Sequence, residues 1–61
     1  MAEWFVKYRD LQTNREMESR RMDTREQAIS QALAYERDRS IIHAIVGPSG
    51  EEPWAEVKLE T

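Results

Sequence analysis

Cysteine is absent, which removes disulfides and thiolate metal sites as ways of holding so short a chain together. With one histidine, a structural zinc site would have to draw on several carboxylates, an unusual donor set. Glycine and proline number two each, and three of these four residues fall within 47–50, which argues against disorder. No apolar run approaches the roughly 18 residues that span a bilayer, and the N-terminus lacks the charged and apolar segments of a secretory leader. A cytoplasmic protein is therefore expected. A dominant charge is also missing: 9 basic and 12 acidic residues are interleaved for a net charge of −3, the pattern of a solvated surface rather than of a dedicated nucleic-acid binder.

What is present must fold as one domain spanning all 61 residues. A chain of this size buries only about 60% of the surface its unfolded form exposes. Stability must then come from good packing of the two Trp, two Tyr and one Phe, or from association.

The strongest local signal is a helix from Asp23 to Arg37. Ala28, Ile29, Ala32 and Leu33 form one stripe of a 3.6-residue period, and Glu26, Gln27, Ser30 and Gln31 lie off it. Either Asp23 with Glu26 or Thr24 with Gln27 can form a capping box at its start. Arg37 and Arg39 suit the carbonyl end, although no glycine marks where it stops. A stripe this narrow, half of it alanine, suits a helix lying close on a sheet.

Strands are expected on either side. Trp4 to Arg9 is rich in β-formers and puts Trp4, Val6 and Tyr8 on one face, Phe5, Lys7 and Arg9 on the other. Thr13-Asn14 is the turn, since Asn tolerates positive φ. Glu16 to Met22 is read as a polar edge strand whose alternating charges discourage sheet-to-sheet aggregation. Ser40 to Val46 is the most apolar stretch and reads as a central strand with faces Ile41, His43, Ile45 and Ile42, Ala44, Val46, ended by the turn Gly47-Pro48-Ser49-Gly50. Trp54 to Leu59 alternates, with Ala55, Val57 and Leu59 directed inward and Trp54, Glu56 and Lys58 outward, as a strand in a second hairpin.

The expected fold is α+β: an antiparallel sheet of three to four strands, in the chain order ββαββ, with one helix on one face. The other face would carry Phe5, Ile41, His43, Ile45 and Trp54 with nothing to cover it.

The residues Asp23-Thr24 followed by Ala28-Ile29 and Ala32, and the run Ile41-Ile42-His43 heading into a glycine-containing turn, resemble a small bacterial family of domains of unknown function, numbered 2188, that shares this strand order. The likeness covers roughly the middle half of the chain. Glycine usually follows the histidine closely in that family, whereas Ala44-Ile45-Val46 intervenes here before Gly47. The resemblance implies a bacterial source and a fold, and no catalytic residue.

Motifs for chemistry are sparse. His43 alone suits acid-base work near neutral pH, but its neighbours are apolar and no triad-like Ser, Cys or Asp context accompanies it. Glu51, Glu52 and Glu56 belong to or flank a turn, and Gly47 to Gly50 lacks the spacing of a phosphate loop. No catalytic residue, cofactor or metal is expected. An uncovered apolar face on a small chain marks an interaction site, so Phe5, Ile41, His43, Ile45 and Trp54 are the expected interface of a non-enzymatic module, most simply a homodimer with Trp54 as anchor. The alternative is weak nucleic-acid binding by Arg9, Arg20, Arg21 and Arg25, aided by Arg15 and by Trp4 or Tyr8. The interleaved Asp10, Glu16, Glu18 and Glu26 oppose that field.

Overall fold

A computed structural model describes residues 3–61. The elements are β1 (Phe5–Asp10), β2 (Arg15–Glu18), α1 (Arg25–Arg37), β3 (Ile41–Gly47), β4 (Gly50–Pro53) and α2 (Trp54–Leu59). The strands form one antiparallel sheet in the order β2-β1-β3-β4. The ββαββ order and the main helix on a four-stranded sheet are as the sequence leads one to expect.

The β1–β2 hairpin turns where the sequence places it, with Asn14 at φ 58°. Beyond Glu18 the ladder ends at Ser19, a buried hydroxyl that accepts the Val6 N–H (2.8 Å) and donates to the Arg20 carbonyl (2.9 Å). Met22 regains the sheet through a bridge to Trp4. The edge strand is thus shorter than the expected Glu16 to Met22, because Ser19 spends its hydroxyl where the next backbone carbonyl would have bonded.

Of the two possible capping boxes, Thr24 with Gln27 forms: Gln27 N–H donates to Thr24 Oγ1 (3.2 Å) and Thr24 N–H to Gln27 Oε1 (3.3 Å). The far end of α1 closes as a Schellman turn, in which Ser40 N–H donates to the Tyr35 carbonyl and Arg39 N–H to that of Glu36. Arg39 occupies the left-handed position at φ 69°, where glycine is usual, so the helix stops without the residue that normally signals it.

The helix rests on the sheet through Ala28 and Ala32, both fully buried. With methyl groups at the centre of the contact, α1 can sit close above β3 and β1, and Val6, Ile45, Met22, Trp54 and Val57 complete the core. Ile29 and Leu33 pack at its margin.

Two expectations are corrected. The first concerns β3. Lys7 pairs with Ala44 but Tyr8 pairs with Ile42, so His43 is an extra residue in a β-bulge. Each side of the bulge alternates normally, but the phase changes across it. Ile45 therefore points into the core at 0% exposure, while Ile41, four residues away, lies on the opposite face at 46%.

The second concerns the C-terminus. Trp54–Leu59 is helical, and the strand that completes the second hairpin is Gly50–Pro53, joined to β3 by the two residues Pro48 and Ser49. Trp54 and Val57, three apart, are its buried residues, whereas Leu59 is 87% exposed. Over six residues, alternation and an i, i+3 pair look much alike, and Ala55, Glu56, Lys58 and Leu59 all favour a helix. Trp54 is consequently a core residue at 4% exposure, its indole N–H donating to Glu36 Oε2 (3.1 Å).

Both helices cover the same side of the sheet. Arg25, at the start of α1, ties them together by donating to both oxygens of Glu52 (2.8–3.1 Å) and to Glu60 Oε2 (2.8 Å).

Candidate functional site

Among the described residues no layer covers the opposite side of the sheet, and the residues on it follow from the register. Phe5, Lys7 and Arg9 alternate along β1 with Val6 and Tyr8, which belong to the core side. Opposite Lys7 stands Glu18, and opposite Arg9 stands Glu16. Phe5 faces Val46, Lys7 faces Ala44 and Arg9 faces Ile41 on β3; Val46 faces Glu51 and Ala44 faces Pro53 on β4. The result is an open hollow of about 710 Å³ lined by both signs of charge, with Ala44 and Pro53 among its apolar walls.

Ion pairs lace this surface laterally. Lys7 reaches over β3 to Glu51, passing above the small Ala44, and this carboxylate holds the lysine pKa above its ordinary value. In the other direction His43, pushed outward by the bulge, reaches over β1 so that its Nε2 lies 2.7 Å from Glu16 Oε1. Arg9 Nε donates to the other oxygen of Glu16 (2.7 Å), and chiefly for that reason the Glu16 carboxyl is held below the ordinary carboxylate value. Arg21 stacks its guanidinium 3.9 Å from the Phe5 ring centroid and approaches Glu18 (3.4 Å).

The side chains predicted for an interface divide accordingly. Phe5, Ile41 and His43 are on the uncovered face; Ile45 and Trp54 are corrected to the core, the first by the bulge and the second by the terminal helix. The arginines named for nucleic acid do not share one surface. Arg9 and Arg21 belong to the open face and are each paired with a glutamate, Arg25 is engaged at the start of α1 on the far side, and Arg20 lies by Glu26 and Gln27.

Lys7, Glu18, Ala44, Glu51 and Pro53 belong to the site and were missed by motif reasoning. Alternation along β1 indicates the side that Lys7 takes, but its partner Glu51 is 44 residues away, and only the order of the strands brings the two together. Among the described residues no group of three or more His, Cys, Asp or Glu side chains is arranged to hold a metal ion, and no helix is long and apolar enough to cross a membrane. No buried side-chain nitrogen or oxygen among them lacks a hydrogen-bond partner.

No family model, curated protein or solved structure matches this chain.

Proposed function

We propose that the chain is a small non-enzymatic protein-interaction module that self-associates through the sheet face its helices leave uncovered. The observation that carries this reading is a two-layer fold, about 16 Å in its thinnest dimension, with both helices on one side of the sheet. The open face is self-complementary. A two-fold axis parallel to the strands and midway between β1 and β3 lays Phe5 of one copy on Val46 of the other, the Lys7 stem on Ala44 and the Arg9 stem on Ile41, large residues over smaller ones. Strands of four to seven residues at a spacing of about 4.8 Å give a plan area on the order of 300 Å². This is below the roughly 800 Å² per partner of a standard interface, so the dimer is weak and concentration-dependent.

Sedimentation velocity over a concentration series extending to near-millimolar protein tests the reading. The parent chain is expected to shift from monomer to dimer. Ile41→Lys, which sets a cation against Arg9 of the other copy, is expected to stay folded and monomeric. A parent that remains monomeric throughout, or an Ile41→Lys variant that dimerises equally well, overturns it.

A further inference from the structure

The two edges of the sheet are built differently. β4 (Gly50–Pro53), no longer or shorter than β2, ends in a residue with no N–H to offer and runs directly into α2, whose Trp54 folds back into the core. At the other edge all four residues of β2 are exposed, and the strand lies beyond the main footprint of both helices. Ser19 N–H donates to the Val6 carbonyl at 2.9 Å. By the alternation of an antiparallel ladder, Met17 and Arg15 also turn their backbone groups toward β1, leaving the N–H and C=O of Glu16 and Glu18 directed away from the sheet. The carboxylates of these same residues stand on the open face, where Arg9 and His43 hold Glu16 and Arg21 approaches Glu18, all of them solvent-exposed pairs. Met17, between them, points to the helix side, where it is 41% exposed beside Tyr8, which stacks on Tyr35 at 4.2 Å between ring centroids.

A second copy of this chain does not suit that edge. Two-fold antiparallel pairing of β2 with itself keeps each face on its own side, so residues of like parity oppose one another. Centred on residue 16 it sets Glu16 against Glu16, and centred on residue 17 it sets Glu16 against Glu18. Like charges then meet in the register that would have to bond.

We propose that β2 accepts an extended basic peptide from another protein as a fifth strand, with Lys or Arg opposite Glu16 and Glu18 and an apolar residue opposite Met17. Backbone hydrogen bonds to the free groups of Glu16 and Glu18 supply affinity, and the alternation basic, apolar, basic supplies selectivity. The peptide uses the outward backbone of β2, which the face-to-face contact proposed above leaves free, although the Glu16 and Glu18 carboxylates border both surfaces; neither proposal depends on the other.

The test uses the whole chain with two blocked synthetic peptides, Thr-Lys-Val-Lys-Val-Lys-Thr and its counterpart with Glu in place of Lys, followed by titration and amide hydrogen exchange in NMR. The basic peptide is expected to bind about ten-fold or more tightly than the acidic one. On binding, the amides of Glu16 and Glu18 gain protection, while that of Met17, already bonded to β1, changes little. Glu16→Pro removes the outward N–H together with the carboxylate that Arg9 and His43 hold; it should keep the parent circular dichroism and lose binding, whereas Glu16→Gln, which keeps the N–H, should still bind but with reduced charge preference. Equal binding of both peptides, binding that protects other amides, or failure of the basic peptide to bind overturns the proposal. The last result leaves Glu16 and Glu18 as charges that only keep the edge from aggregating.

Discussion

On the helix side of the sheet, Val6, Ile45, Ala28, Ala32, Trp54 and Val57 exclude water almost completely, and the polar groups that reach this layer are bonded, as Trp54 is to Glu36. On the other side, Lys7, Arg9, Glu16, Glu18 and Glu51 keep at least two-fifths of their side chains in solvent and pair with one another or with His43 and Arg21 across the strands. The contrast shows how a short chain divides its resources. It has enough apolar surface for one buried layer, and the second face is kept in order by exposed ion pairs, each worth about 0–1 kcal/mol. The energy of the fold resides on one side, and the chemistry available to a partner resides on the other.

The widest test of this contrast lies within one strand. Ile45→Ala should cost about 2–5 kcal/mol, enough to unfold much of a domain this small, as read from denaturant or thermal melts. Gly47→Ala should come next. An added Cβ would lie 2.5 Å from the Trp4 ring, and overpacking of this kind costs about 1–3 kcal/mol unless the indole shifts.

A smaller effect is expected from acid. The Glu36 carboxyl is held below its ordinary value of 4.5 chiefly by the Trp54 indole N–H and then by Lys58, and the Glu16 carboxyl chiefly by Arg9. Each contributes stability that is fully present above the unfolded carboxyl value and is lost as pH falls through the lower folded one, so the denaturant midpoint should drop on acidification below about pH 4.5. Trp54→Phe should reduce that dependence from the helix side and Arg9→Gln from the open side, each measured by melts at a series of pH values. The smallest effect belongs to Ile41→Ala, which should change stability by no more than about 0.5 kcal/mol. A comparable loss at Ile41 and Ile45 would break the distinction between the faces.

Much of the fold was legible because its signals are local. The capping pair Thr24 and Gln27, the Ala28 and Ala32 stripe, the turn at Asn14 and the alternation along β1 each act within a few residues. The candidate site was legible only in part, and its two corrections have different origins. The bulge at His43 arises from how β3 registers against β1, and nothing in Ile41-Ile42-His43-Ala44-Ile45 announces it; without it Ile41 and Ile45 would share a face. Trp54–Leu59 reads as a strand because six residues carry too little periodicity to separate a strand from a helix, and as a helix the segment carries Trp54 into the core rather than to the expected interface.

By itself, then, the sequence determined an α+β domain without cysteine bridges, a well-started helix with a narrow apolar stripe, and a β1 whose two faces differ in kind. Capping, turn chemistry and side-chain alternation are properties of neighbouring residues, so the chain states them directly. Tertiary structure alone decided that β3 changes phase at His43, that Trp54–Leu59 coils back over the helix side, and that Lys7 meets Glu51 and His43 meets Glu16. These depend on strand order and register, which are set when distant segments bury their apolar sides together, and no short stretch of sequence contains that information.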